Sequence, residues 1–444
     1  MFRRILVANR GEIALRIIRA CRELNVETVI AHSQADAESL PVRLADDAVC
    51  VGPGPSGRSY LNIPNLITAA LIKDCDGVHP GYGFLAEDRF FAEICQRYGV
   101  TFIGPTSEVI ATMANKVAAR QTMAGYGLPV LPGSPEPIGT IEAAMQAARD
   151  IGYPLMIKAA GGGGGRGMHL ADSDTALVQH FTNAQRESRA AFGNDQLYLE
   201  KFLPCCRHVE VQVLGDGKRA ISLGDRDCSI QRRHQKIIEE APSPALSAET
   251  RRQIGKSAVQ GAEGVGFTSA GTLEFLVDDD GKYYFLEMNT RVQVEHGITE
   301  MITGIDIVKT QIRIAAGEMD LPKQSDVKLN GHAIECRVNA ESGADFRPAT
   351  GTVTMMHLAG GPGIRVDTHL FAGYNLPAHY DSLVAKIMAW GGDRNEAIDR
   401  MRRALDETSI EGIPTTLPYL RAVVRDGAFV AGGVHTSYVS DFRS

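Results

Sequence analysis

The order of apolar runs predicts a multidomain protein, α/β in its N-terminal part and α+β in the rest. Three observations carry this. Strand and helix alternate through about the first hundred residues, the signature of a parallel sheet covered by helices. Pro129, Pro132, Gly133, Pro135 and Pro137 crowd one short segment and mark a linker, with a compact block beyond it. From residue 204 onward the chain is rich in strands and holds most of its unusual polar residues. A length of 444 residues, at ~150 per domain, agrees with about three domains.

Residues 5–8 read as a buried strand closed by Asn9-Arg10-Gly11, after which Ile13, Ile17, Ala20 and Leu24 recur at helical spacing. Residues 28–31 and 48–51 are apolar runs of strand length, 63–72 is helical, Gly77-Val78 ends a strand, and 101–103 closes the unit before Gly104-Pro105. Residues 1–103 are thus Rossmann-like. The first turn offers only Gly11 where a dinucleotide site needs three glycines, so nucleotide binding by this unit is not expected. Residues 104–130 read as connecting helices. A helix from Thr140, a strand at 155–158, a glycine run and a strand at 197–201 fill a block over 131–203. Residues 204–444 form the third region, and no internal repeat occurs.

Hydrophobic residues make up 44 % and charged residues 22 %, a balance that builds a core and excludes disorder. A net charge of −7 disfavours a dedicated nucleic-acid binder. No stretch approaches the ~18 consecutive apolar residues of a membrane span. Asn9, Arg10 and Glu12 interrupt the N-terminal apolar run too early for a secretory leader, so a cytoplasmic protein is expected. None of the 8 cysteines sits in a Cys-x-x-Cys pair, which points to reduced thiols, with Cys205-Cys206 as small residues at a turn.

Gly161, Gly162, Gly163, Gly164 and Gly165 precede Arg166-Gly167-Met168. Without side chains, such a run lets its N–H groups wrap an anion. No Lys-Ser/Thr follows at the Walker spacing, and polyglycine fits almost any glycine pattern. A strand ending at Lys158 precedes the run and no Ser-rich context surrounds it, which favours a phosphate-covering loop over a linker.

Residues 271–296 are the most informative. Two alternating runs flank Asp280-Gly281, a hairpin signal. With those two residues as the turn, Glu274 faces Glu287 and Thr272 faces Asn289. Like charges across a sheet destabilise it unless a cation lies between them, and carboxylate with amide oxygens suits Mg²⁺ or Mn²⁺. If the second strand stays extended, Glu287, Asn289, Arg291, Gln293 and Glu295 share one face. A second polar cluster, residues 225–236, includes Arg232-Arg233-His234; without interleaved aromatics it reads as a polyanion-binding loop near the metal face.

At these residues the chain resembles the biotin carboxylase family of ATP-grasp ligases, over essentially its whole length. The matching pieces are residues 8–14, 79–85, 158–168, 207–210, 228–236, 287–291 through Glu295-His296, and 335–341. The resemblance implies a pre-ATP-grasp N-terminal domain, an ATP-grasp lid over 131–203, and the ATP-grasp core with a mixed C-terminal domain over 204–444. It implies that Lys116 and Lys158 hold ATP phosphates under the glycine loop. Glu200, Lys201 and Leu203 form the adenine hinge, and Met168, His208, Gln231, His234 and Leu276 complete the nucleotide pocket. Glu274, Glu287 and Asn289 become metal ligands. Lys236, Arg291, Gln293 and Val294 bind bicarbonate, Glu295 is its base, Arg337 stabilises the biotin enolate, and Tyr82 joins the substrate site. The implied reaction is ATP-dependent carboxylation of biotin on a carrier protein, through carboxyphosphate.

Departures from the family pattern are Asn115 in place of Asp, Gly297 in place of Pro, and Cys205-Cys206 at a commonly more polar turn. No Met-Lys-Met biotinylation motif occurs, so a separate carrier and carboxyltransferase subunits are expected, most often those of acetyl-CoA carboxylase, with a homodimer as the assembly. Another ATP-grasp ligase should lack Arg337 in its Glu-Cys-Arg-Val-Asn-Ala setting and the His79-Pro-Gly-Tyr-Gly motif. An inactive regulatory subunit should lack some of Lys116, Lys236, Glu274, Glu287, Glu295 and Arg337.

Overall fold

A computed structural model describes residues 1–159, 168–318, 320–342 and 345–442. The glycine run at 161–165 lies outside them. The N-terminal sheet is fully parallel, in the order β3 (Asp47–Gly52), β2 (Glu27–Ser33), β1 (Arg4–Val7), β4 (Gly77–His79), β5 (Thr101–Phe102). Period-two alternation gives it two cores. Ile5 and Val7 face the helix Gly11–Glu23, whose Ile13 and Ile17 recur one turn apart. Leu6 and Ala8 face the other side, with Leu66 of the helix Ile63–Ile72 and Phe91 of the helix Arg89–Arg97. This is the α/β part the alternation predicts.

Beyond the helices Ser107–Ala114 and Lys116–Gly125, a small antiparallel sheet runs β7 (His169–Ala171), β6 (Leu155–Ala159), β8 (Leu197–Lys201). The helices Ile141–Ile151 and Asp174–Phe192 bury Ala144, Ala148, Leu177 and Phe181 against it. Asn115 caps the helix Lys116–Gly125 by accepting from the N–H groups of Val117 and Ala118, at 3.1 and 3.0 Å. An aspartate caps equally well, so this departure keeps its structural role.

Among the described residues, eight of the remaining strands make one antiparallel sheet. It includes β9 (Arg207–Asp216), β10 (Ala220–Arg232), β11 (Gln235–Ala241), β12 (Thr268–Val277), β13 (Tyr283–Asn289), β14 (His332–Asn339), then, after the short β15 (Gly351–Thr352) and β16 (Met355–His357), β17 (Ile364–Thr368). Its order is β13-β12-β9-β10-β11-β14-β19-β17, with β18 (Asn375–Leu376) paired to β15, β19 (Leu383–Gly391) inside the sheet, and β20 (Ser409–Glu411) paired to β16. The sheet is unbroken from the 268–289 hairpin to β17, so residues far apart in sequence reach one face. Among the described residues no helix is long and apolar enough to cross a membrane.

Gly297 sits in the first turn of the helix His296–Thr303, and a Cβ there would meet the Met388 sulfur at 2.4 Å. Methionine thus occupies space that a side chain at 297 would take. Gly297→Ala is expected to destabilise the fold by ~1–3 kcal/mol, the usual range for overpacking. Met388→Ala removes a fully buried side chain and is itself costly, so Gly297→Ala should cost less in a Met388→Ala background than in the parent; independent, additive losses in thermal melts would contradict the packing account.

Candidate functional site

All the described residues assigned above from sequence line one cavity of about 1040 Å³. Its floor begins at the hairpin. The expected two-residue turn is in fact a longer connection, residues 278–282, closed by the Asp278 N–H donating to the Lys282 carbonyl at 2.9 Å. That moves the outer pairs to Val277↔Tyr283 and Phe275↔Phe285. Leu286 then bulges out, and the inner register becomes Glu274↔Glu287 and Thr272↔Asn289, the facing pairs that the simple turn predicts. Phe285 and Met288 both point into the apolar core, so Leu286 and Glu287, one after the other, reach the cavity.

The extension past Asn289 is not observed. The strand ends there, residues 290–295 form a loop, and Glu295 becomes the residue before the helix His296–Thr303. Arg291, Gln293 and Glu295 still line the cavity, because the loop folds back under the hairpin rather than by strand alternation. Gln293 donates to Glu274 Oε1 at 2.9 Å and Arg291 donates to Asn289 Oδ1 at 3.0 Å.

Lys236, on β11, is the hub of the charge network. Its ammonium donates to Glu210 at 2.6 Å, Glu274 at 2.9 Å and Glu295 at 2.7 Å. Arg337, on β14, lies 2.9 Å from the other Glu295 oxygen and 2.5 Å from Glu239. Burial works against charge on Glu295, yet Lys236, Arg337 and Arg226 outweigh it and hold this carboxyl well below the usual range. Glu274 is likewise held well below, burial being outweighed by Lys236 and His208. The same carboxylates raise Lys236 well above the ordinary ammonium value in spite of its burial. His208 lies 3.0 Å from Glu274, which lifts the imidazole against its burial, and Gln231 is 3.0 Å from the other ring nitrogen.

Behind this layer Glu239 and Glu335 face each other in register, both fully buried. Burial pushes Glu239 up to about 7, partly offset by Arg337, and pushes Glu335 well up. With a folded value near 7 and an unfolded value of ~4.3, Glu239 binds its proton more tightly in the native state. Its contribution to stability is therefore present at low pH and lost as pH rises from ~4.5 through about 7. Glu239→Gln should reduce that decline, the variant gaining on the parent in melts between pH 5 and 8; parallel curves would contradict it.

In the small sheet β7-β6-β8, Lys158 is paired with Glu200 on the adjacent strand, and the Lys201 ammonium is held by the Gly152 and Tyr153 carbonyls, at 3.1 and 2.5 Å. What Lys201 presents to the cavity is thus backbone. Met168, Leu203, His234 and Leu276 line the same part, and Lys116 stands 3.5 Å from Glu287. From the N-terminal unit, Asn9 donates to the carbonyls of Pro80 and Tyr82, at 2.6 and 2.7 Å, so that Tyr82 is held on the wall. Gly81 has φ +64°, and a Cβ there would come within 2.9 Å of the Asn9 amide.

Sequence reasoning missed four partners. Glu87 anchors Arg291 at 2.9 Å, Glu210 and Glu239 hold Lys236 and Arg337, and fully buried Arg226 bonds Glu210, Gln212, Thr272, Gln293 and Thr299. Alternation on β9 was an available signal: Glu210 and Gln212 interleave with Val209, Val211 and Val213, marking one polar face of a central strand.

Glu274, Glu287 and Asn289 offer only oxygen ligands on facing strands, and such a set fits a hard cation of the Mg²⁺ or Mn²⁺ type. Ligand atoms of His208, Glu210 and Glu274, and of Glu210, Cys228 and Glu295, also lie within 4.8 Å of one another. Lys236 contacts Glu210, Glu274 and Glu295, so these two groups read as the cage of an ammonium rather than as further metal sites.

Residues 1–110 match the family described as biotin carboxylase, N-terminal domain, residues 335–441 the biotin carboxylase C-terminal domain, and residues 115–323 the carbamoyl-phosphate synthase L chain ATP-binding domain. Biotin carboxylase of Nostoc sp. is 51 % identical over 444 residues, covering 100 % of this chain and 99 % of that one. Biotin carboxylase of Pseudomonas aeruginosa is 52 % identical over 441 residues, covering 99 % and 98 %. A crystal structure of the Campylobacter jejuni biotin carboxylase–β,γ-ATP complex superposes with a TM-score of 0.98 at 43 % identity, covering 100 % and 99 %. The biotin carboxylase domain dimer of Hydrogenobacter thermophilus 2-oxoglutarate carboxylase, bound to MgADP, ADP and bicarbonate, superposes at 0.96 with 45 % identity, covering 99 % and 98 %. Full-length identity near one half, on the same fold, places this chain in the biotin carboxylase family, the ATP-grasp ligases that carboxylate biotin.

Proposed function

We propose that this chain is the biotin carboxylase subunit of an acetyl-CoA carboxylase, a cytoplasmic homodimer acting on biotin borne by a separate carrier protein and serving separate carboxyltransferase subunits. The observation that carries the site reading is Glu295 held between Lys236 and Arg337, in the same cavity as the opposed pair Glu274 and Glu287. Bicarbonate is a poor nucleophile and needs a positioned base. Glu295 as it stands is ionised but weakly basic, because two cations hold it. Bicarbonate arriving among Lys236, Arg291, Gln293 and the Val294 backbone takes hydrogen bonds from those cations. That frees Glu295, raises its basicity and lowers the hold on the bicarbonate proton.

The deprotonated oxygen attacks the γ-phosphorus of ATP and ADP leaves, giving carboxyphosphate. Lys116, Lys158 and the 161–165 loop are the groups proposed to hold the phosphates; a cation bound by Glu274, Glu287 and Asn289 supplies neutralisation of the charge spreading over them. Carboxyphosphate breaks to CO₂ and phosphate, phosphate takes the biotin N1′ proton, and Arg337 stabilises the resulting enolate, which attacks CO₂. Adenine sits between Met168, Leu276 and the 200–203 hinge, beside His208, Gln231 and His234, under a lid spanning 131–203. ATP cleavage that depends on bicarbonate and rises with free biotin tests the reading; cleavage indifferent to both contradicts it. The carrier that copurifies tests the acetyl-CoA carboxylase assignment.

A further inference from the structure

Lys386 is fully buried in the middle of β19 and stands behind the cavity wall. Its register neighbours are Arg337 and Asp367, and a lysine directly across from an arginine is a pairing that sheets disfavour. Taking an ammonium out of water is expensive, and a packed apolar residue often serves a fold as well or better. This one donates to the Val294 carbonyl at 2.8 Å and lies 3.2 Å from Glu12 and 3.8 Å from Asp367. The Glu12 oxygen that it approaches also accepts the Tyr82 hydroxyl, at 2.5 Å. Four segments are thereby joined in a line: the 80–85 loop, the helix Gly11–Glu23, β19 and the loop that carries Glu295.

That loop has left the sheet at Asn289, so no ladder fixes its backbone. The cations that now hold Glu295, Lys236 and Arg337, are also the ones assigned to substrate. They cannot hold the loop and serve bicarbonate together. Lys386, off the wall, can stay engaged throughout.

We propose that Lys386 is a positioning residue: with Glu12 it forms a buried strut from the Val294 carbonyl to the Tyr82 hydroxyl, setting the Glu295 loop and the Tyr82 ring in fixed register. The proposal rests on the assignment of Glu295 as the bicarbonate base and of Tyr82 to the substrate site, and bicarbonate-stimulated ATP cleavage by the unaltered enzyme tests that reading separately.

Tyr82→Phe removes one hydroxyl and leaves every charge in place. It should raise the bicarbonate KM and speed hydrogen exchange across residues 290–298, although Tyr82 is not among the groups assigned to bicarbonate. Lys386→Met with Glu12→Gln removes both charges together; it should lower bicarbonate-dependent turnover by up to ~10²-fold, the scale of a ~1 Å misplacement, with ADP affinity unchanged. In that background Tyr82→Phe should add nothing to the bicarbonate KM. A Tyr82→Phe enzyme with parental bicarbonate KM and parental exchange overturns the strut, as does an effect of equal size in both backgrounds. Should the double variant not fold, the Tyr82→Phe measurements decide the matter alone.

Discussion

Glu295→Gln is expected to lose bicarbonate-dependent ATP cleavage and biotin carboxylation together, by roughly 10²–10⁴-fold, the range for removing a general base. Glutamine keeps the volume but only one accepting oxygen, so one of the two cations loses its bond to residue 295; Lys236 keeps Glu210 and Glu274, Arg337 keeps Glu239, and the fold survives. It also removes the one negative charge that both cations share, which leaves the bicarbonate site more positive. The bicarbonate KM should therefore hold or fall while kcat drops. Arg337→Met should behave differently. It keeps the stem and removes the fork and the charge, which matter most once biotin has lost its proton. It should retain a larger share of ATP cleavage than of carboxylation, with some loss of both because Arg337 also faces Glu295. The deciding quantity is carboxybiotin formed per ADP released. An Arg337→Met enzyme with parental coupling would remove Arg337 from that step.

The second large effect is expected at the hairpin. Glu287→Gln removes one of two opposed carboxylates at equal volume, and the sheet should lose nothing, since like charges facing each other oppose pairing. Melting should be unchanged or slightly higher. Turnover at limiting Mg²⁺ should fall by more than the ~10–100-fold that removing an outer-shell partner costs, and calorimetric binding of ADP should lose its dependence on Mg²⁺. Parental turnover at limiting Mg²⁺ would show that Glu287 is no ligand.

The parallel sheet was legible because its central strands β2, β1 and β4 are buried and read as apolar runs, residues 5–8 being the clearest. The facing of Glu274 and Glu287 was legible although the turn was misread, since the added turn residue and the bulge offset each other. The 291–295 segment was not legible as a loop: its alternation of polar residues imitates a strand, and only the packing of the following helix shows otherwise. Glu87 escaped notice because it is a single charge in an ordinary local pattern, and Arg226 because its polar cluster, 225–236, reads as a ligand-binding loop rather than as a buried strand. Their meaning comes from contacts with partners tens to hundreds of positions away, Glu87 with Arg291 and Arg226 with Gln293. The glycine loop, conspicuous in sequence, lies outside the described residues and contributes no geometry.

The bulge at Leu286 acts as a phase shifter. On its outer side the odd-numbered residues of β13, Tyr283 and Phe285, face the core; on its inner side the even-numbered Met288 does. The seam falls where the cavity passes from the apolar Leu276 and Leu286 to the oxygen ligands of Glu274, Glu287 and Asn289. Upstream of the seam, residues can be gained or lost at the 278–282 tip with the ligand set unmoved, provided the outer pairs keep their core parity. Deleting Leu286 instead brings the two sides into one phase. Phe285 and Met288 then stay in the core with Glu287 between them still turned to the cavity, so the deletion spares the ligand pair and removes only the apolar wall that Leu286 supplies.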